Sequence, residues 1–264
     1  MSLAEALLDL QELTRHLRRE CPWDREQTAR TIVPHTVEEA YEVADAALAD
    51  DAGELRSELG DLLFQVYFLS LLLEEKGDGD LETVARDVHA KLVRRHPHVF
   101  GDGEARTPGR VRERWEELKT EQEGRAGIFH DVPEALPALL LARKVQRRAA
   151  TVGYDWPDLT GPFAKVREEI DELRAAVSLA GEPSPETEAD AATFHEIGDV
   201  LFTVVNVARK LNVDPELALR ATTRRFADRL ERAAELAATE GVDWRALDLE
   251  AQDTYYDRAK AMLQ

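Results

Sequence analysis

The sequence predicts an all-α protein made of two tandem helical bundles. Three observations carry that prediction. Nearly every segment repeats its apolar residues at three- and four-residue steps, β-branched runs are scarce, and one acidic pattern is written twice. Glu38-Glu39-x-x-Glu42 is followed by Glu58-x-x-Asp61, and Glu168-Glu169-x-x-Glu172 by Glu196-x-x-Asp199. The second member of each pair opens a near-identical apolar run, ELGDLLFQV from Glu58 and EIGDVLFTV from Glu196. An internal duplication of one helical unit accounts for both.

Taken in order, Leu3, Leu7, Leu10, Leu13 and Leu17 form the apolar stripe of a first helix, which Cys21-Pro22-Trp23-Asp24 ends. Helices are expected at about 37–48 and 54–75, then a Gly77-Asp78-Gly79-Asp80 turn, and a further helix at about 81–95. The elbow His96-Pro97-His98-Val99-Phe100-Gly101 precedes another at about 107–121, completing a domain over 1–122. The stretch from Glu123 to Pro137 holds two glycines, two prolines and no long periodic run, so 123–136 reads as a linker. The order then repeats over 137–264, with helices at about 137–150, 162–180, 188–211, 214–240 and 248–263. Breaks correspond as well, since Pro22-Trp23-Asp24 and Tyr154-Asp155-Trp156-Pro157 each precede an acidic box. The loop from Gly181 to Asp190, rich in Pro, Ser and Glu, lengthens the second copy as a solvated excursion.

Composition limits the reading. The chain has 264 residues, with 53 Asp plus Glu against 34 Lys plus Arg and a net charge of −19. Such acidity disfavours a sequence-independent grip on nucleic acid or on an anionic membrane. Cys21 is the only cysteine, so no intrachain disulfide forms, in keeping with a reducing compartment. The N-terminus reads as an amphipathic helix rather than a leader, and the apolar stretch Leu62 to Leu73, broken by Gln65 and Ser70, is too short to span a bilayer. A cytoplasmic protein is expected.

On a helix Glu38, Glu39 and Glu42 share an arc of about 100°, and Glu58 and Asp61 face one side of the next helix. Two such helices packed antiparallel gather four or five carboxylates. A Glu-rich helix alone is most often a solvated face. Glu58 and Asp61 resist that reading because their helix is otherwise apolar on nearly all sides, and the duplication repeats the arrangement. Buried carboxylates need a cation to offset their desolvation. Oxygen-only ligands favour a hard ion, Mg²⁺ with Mn²⁺ as a substitute. A di-iron bundle would use Glu-x-x-His pairs, and none of the seven histidines lies three residues after a Glu. The expected metal ligands are therefore Glu38, Glu39, Glu42, Glu58 and Asp61, and Glu168, Glu169, Glu172, Glu196 and Asp199.

Several segments carry a family resemblance. They are CPWDREQT at 21–28, VEEAYEVADA at 37–46, ELGDLLFQV at 58–66, RRHPHVFGD at 94–102, WEELK at 115–119, the run from Val132 through GYDWP, and KVREEIDEL from Lys165. In these the chain resembles full-length, two-domain MazG-type nucleoside triphosphate pyrophosphohydrolases. The resemblance implies Mg²⁺-dependent hydrolysis of NTPs and dNTPs between the α- and β-phosphates, to a monophosphate and pyrophosphate. It also implies a homodimer in which helices of two subunits pack together. Glu39 and Glu169 are the candidates to orient or deprotonate the attacking water; spacing leaves base and ligand undivided within each box.

The resemblance also points to Lys165, Arg225, Arg229 and Lys260 as triphosphate contacts, with Tyr256 near a base-stacking aromatic. This chain departs from the family pattern at Thr223, where Asn is usual, at Arg225, where Lys is usual, and at Tyr256, where Trp is usual. In the first copy His35 stands at the position of Lys165, leaving Lys91, Arg94, Arg95 and Lys119 as cations and Trp115 as the aromatic. The second copy thus has the fuller cation set and is the expected working one. The rival readings are a narrower dUTP- or dCTP-type pyrophosphatase and a non-catalytic nucleotide- or partner-binding regulator.

Overall fold

The computed structural model describes residues 1–101, 127–129, 132–133, 135–180 and 190–263. Among these the protein is all-α, with no strand, as the apolar periodicity requires. The chain divides between Gly124 and Arg125 into two compact units. The helix expected at 107–121, with Trp115 and Lys119, lies outside the described residues, as do half of 123–136 and residues 181–189. No described helix is long and apolar enough to cross a membrane.

The first unit contains α1 (Leu3–Glu20), α2 (Pro22–Glu26), α3 (Ala29–Leu48), α4 (Ala52–Lys76), α5 (Leu81–Arg95) and the single turn α6 (Pro97–Phe100). Its helices start where side chains satisfy the first amides: Ser2 with Glu5 on α1, Asp51 on α4, Asp80 on α5. Helix α3 begins eight residues before the expected position 37, because Thr28 and Thr31 form a reciprocal cap that nucleates it at Ala29. Pro34 is carried inside that helix. Gly77, at φ 74°, closes α4, its amide and that of Asp78 returning to Glu74 and Leu73 carbonyls at 3.0 and 3.1 Å.

Only Ala49, Asp50 and Asp51 separate α3 from α4, so the two run antiparallel side by side. Pairing descends accordingly. Ile32 packs with Phe68 and Leu72, Thr36 Oγ1 donates to Gln65 Oε1 at 3.3 Å, and Glu39 lies beside Asp61 and Glu58. Helix α4, apolar on nearly all sides in the sequence, is covered on one side only. Phe68 and Leu72 are buried, while Leu59, Leu63, Val66 and Leu73 are exposed.

The second unit contains α7 (Ala138–Thr151), α8 (Thr160–Ala180), α9 (Ala191–Lys210), α10 (Pro215–Thr239), a 3₁₀ turn at Trp244–Ala246 and α11 (Leu249–Met262). Helices α8 and α9 form its main pair, the counterpart of α3 and α4. Helix α7 lies on α9, where Gln146 Nε2 donates to the Phe202 carbonyl at 2.7 Å. Arg143 of α7 pairs with Asp214, the N-cap of α10. Helix α11 folds back on α10 across fully buried Ala233, Ala237 and Ala259, whose small side chains allow close approach. Glu240 locks that pair, accepting from Tyr255 Oη at 2.8 Å and from Arg258 at 2.5 Å.

Candidate metal centres

In the first unit, carboxylate oxygens of Glu39, Glu58 and Asp61 lie within 4.8 Å of one another. Glu39 comes from the inner face of α3; Glu58 and Asp61, one helical turn apart, come from the facing side of α4. Burial, then the bond with and charge of Glu42, then Asp61 and Glu58, push the Glu39 carboxyl up. Burial and the Glu42 and Asp61 charges push Glu58 up as well. Four acids are thus crowded together. Glu38, next to Glu39 but on the outer side, is exposed and meets His35 Nδ1 at 3.1 Å.

The second unit repeats the geometry. Oxygens of Glu169, Glu196 and Asp199 lie within 4.8 Å of one another, and Glu169 is only 5% exposed. The Glu172 carboxyl is pushed up by burial and by Glu169. The difference is a cation. Lys165 Nζ sits 2.7 Å from Glu168 Oε1 and 2.7 Å from Glu169 Oε1. Those bonds hold its ammonium protonated well above the usual lysine range. A buried carboxylate therefore stands in the second unit with a fixed counter-charge, and in the first unit His35 engages Glu38 instead.

Each cluster suits a hard divalent ion. The donors are carboxylate oxygens with no imidazole or thiolate among them, and an ion would offset the burial and the repulsion that push the acids up. This makes a testable linkage. A carboxyl whose pKa is raised on folding destabilises the fold above that pKa and relieves it as pH falls through it. Metal-free protein is therefore expected to melt higher as pH falls from neutral toward the ordinary carboxylate range, and Mg²⁺ is expected to remove that gain. Acids held low, such as Glu75 and Asp155, titrate below this window. Melting temperature against pH in EDTA and in Mg²⁺ reads the effect; an EDTA curve that falls steadily over the window contradicts it.

The remaining expected residues sit on other helices. Arg225 and Arg229 lie on α10 and Tyr256 and Lys260 on α11, with the Tyr256 ring 5.8 Å from Phe226. Arg225 donates to Thr222 Oγ1 at 3.0 Å, and the buried Nε of Arg229 has no hydrogen-bond partner among the described residues. Lys91, Arg94 and Arg95 lie on α5, the first two exposed and Arg95 half-buried. A second group of contacts was not read from the sequence. Asp155 and Trp156, noted there only as part of a break and a family segment, meet Arg209 and Lys210 at the end of α9, the Trp156 ring lies on Gly161 in the first turn of α8, and Arg18 of α1 meets Glu75 at the end of α4. The basic end of α9 and the glycine in the first turn of α8 were the available signals.

Residues 27–100, which span α3, α4 and the first cluster, match the MazG nucleotide pyrophosphohydrolase domain. The chain is 39% identical over 263 residues to the nucleoside triphosphate pyrophosphohydrolase of Escherichia coli K12, covering 98% of each protein. It is 38% identical over 242 residues to the nucleoside triphosphate pyrophosphohydrolase/pyrophosphatase MazG of Thermotoga maritima, covering 91% of this chain and 89% of that one. A nucleoside triphosphate pyrophosphohydrolase of Mycolicibacterium smegmatis is 34% identical over 206 residues, 74% of this chain and 63% of its own. A likeness that runs along nearly the whole chain, through helices bearing the acidic boxes, makes this protein a member of the MazG family of nucleotide pyrophosphohydrolases.

Proposed function

We propose that the protein is a Mg²⁺-dependent nucleoside triphosphate pyrophosphohydrolase, acting on NTPs and dNTPs in nucleotide-pool housekeeping. The observation that carries this reading is the pair of three-carboxylate clusters on helix pairs, in a chain so similar to proteins named for that activity. Glu39, Glu42, Glu58 and Asp61 would hold the ion in the first unit, and Glu169, Glu172, Glu196 and Asp199 in the second, with Glu38 and Glu168 at the rim. The ion supplies charge neutralisation on the triphosphate. Glu169 or Glu39 accepts the proton of the attacking water as the bridging P–O bond between the α- and β-phosphates breaks, leaving a monophosphate and pyrophosphate. Lys165, Arg225, Arg229 and Lys260 provide cations for the phosphates, and Tyr256 a face for the base.

We read the two units as copies of one ancestral unit, with domains at 1–122 and 137–264 and a linker at 123–136. The second carries the better-equipped centre, because Lys165 pairs with Glu169 where the corresponding His35 meets Glu38 and not Glu39. That contrast favours a regulatory or assembly role for the first unit. Exposed stripes on α4 (Leu59, Leu63, Val66) and α9 (Phe194, Ile197, Leu201, Val204) recur at helical spacing and support a homodimer. A monomer in sedimentation velocity would remove the dimer from this reading.

The deciding experiment is product analysis with Mg²⁺ and a panel of NTPs and dNTPs. Monophosphate and pyrophosphate are the expected products. Orthophosphate would contradict the cleavage position, and metal-dependent nucleotide binding without turnover would favour the regulator.

A further inference from the structure

In both units the segment ahead of the box helix is tied by charge to the far end of the helix carrying the other two carboxylates. In the second unit Asp155 accepts from Arg209 at 2.5 and 3.2 Å and lies 3.3 Å from Lys210 Nζ. Lys210 also donates to the Trp156 carbonyl, and Asn206 Oδ1 accepts from the same guanidinium at 2.7 and 3.1 Å. The Arg209 side chain is 9% exposed and that of Asp155 24%, so the guanidinium is buried and the carboxylate stands at the surface. The Trp156 indole lies directly on the backbone of Gly161 in the first turn of α8, where a Cβ would fall 2.1 Å from Trp156 Cδ1. One cluster of contacts thus joins the start of α8 to the end of α9.

The first unit makes the same connection from different parts. Arg18 of α1 donates to the carbonyls of Asp24 and Gln27, just before α3, and to Glu75 Oε1 and Oε2, each at 2.8 Å, in the last turn of α4. Arg15 holds the adjacent Glu74 at 2.8 and 2.9 Å. Polarity is reversed between the units. Helix α9 ends in cations, where the helix dipole favours them, whereas the last turn of α4 carries Glu74 and Glu75 ahead of Lys76, two glutamates that the dipole opposes and the α1 guanidinium groups offset. Connection, rather than charge sign, is what the two units have in common.

We propose that these ties are positioning clasps, which set the register of each box-bearing helix pair and so the spacing of the carboxylate oxygens that take the metal ion. The proposal rests on the metal reading above. Helix packing alone is a weak guide to that register in the second unit. The buried residues of α9 are Thr203, Val205 and Asn206, so only one is apolar. Glu169 lies eight residues beyond Gly161, about 12 Å along α8. A small slide or splay at the clasped end therefore reaches the cluster almost undiminished, and metal ligands tolerate little displacement.

The test is Mn²⁺ binding to the full-length protein, followed by loss of the free-ion electron paramagnetic resonance signal, together with pyrophosphate release. Asp155→Asn is expected to weaken by about tenfold the Mn²⁺ sites that Glu172→Ala removes, with Asp155→Glu restoring them. Gly161→Ala, which displaces the indole and leaves every charge in place, is expected to act in the same direction. Arg18→Gln is expected to weaken the sites that Glu42→Ala removes and to spare the others. Wild-type Mn²⁺ affinity in Asp155→Asn, whatever happens to its melting temperature, overturns the clasp while leaving the metal centre standing. A Mn²⁺ titration that neither Glu172→Ala nor Glu42→Ala changes overturns the metal centre, and the clasp with it.

Discussion

Glu169→Gln is expected to cut pyrophosphate release by at least about a hundredfold while leaving the protein folded. The substitution keeps shape and removes one charge. In the metal-free protein that charge sits 5% exposed beside Glu196 and Asp199, so its removal relieves repulsion there and strands only the part-exposed Lys165, which keeps Glu168. Stability should thus change little, and the loss should appear in turnover and Mg²⁺ affinity. Glu39→Gln is the companion, because it makes the same change where no lysine stands. If the second unit carries the activity, Glu39→Gln leaves most of the turnover. Full activity in Glu169→Gln together with loss in Glu39→Gln would assign the chemistry to the first unit, and full activity in the double variant would exclude both clusters as the site.

The difference between what could be read in the sequence and what could not follows contact distance along the chain. The boxes were legible because Glu39 and Glu42, or Glu58 and Asp61, owe their shared face to one helix and its period. Lys165, expected as a triphosphate contact, meets Glu168 and Glu169 three and four residues on, a local pairing set by the same period. The start of α3 was misplaced by eight residues because the Thr28–Thr31 cap that sets it at Ala29 is, in the sequence, an unremarkable pair of threonines. Asp155 and Arg209 are 54 residues apart, and nothing local in either marks the other. The all-round apolarity of α4 was legible, but not which side the chain covers: Phe68 and Leu72 turn inward and Leu59, Leu63 and Val66 do not. A pattern of residue types records that a surface needs covering and is silent on whether the cover comes from the same chain.

Phe68→Ala is expected to cost about 3–5 kcal/mol of first-unit stability. Phe68 has no exposed surface, packs with Ile32 and Leu72, stacks at 5.9 Å on Phe64, and lies under the Arg18 guanidinium at 5.9 Å. Its removal opens a cavity at the point where the α3–α4 core meets the residue that ties α1 to the end of α4 and to the segment ahead of α3. Few neighbours can close that space, because Ile32 and Leu72 are themselves buried against the same ring. Urea unfolding followed by circular dichroism reads the loss, and a change below about 1 kcal/mol would mean that this cluster is not the core of the unit. The same variant separates stability from chemistry. It touches no carboxylate of either box, so under conditions where the first unit stays folded, turnover that depends on Glu169 should be retained. A proportional fall in turnover and in first-unit folding would show instead that the activity of the second unit requires the first.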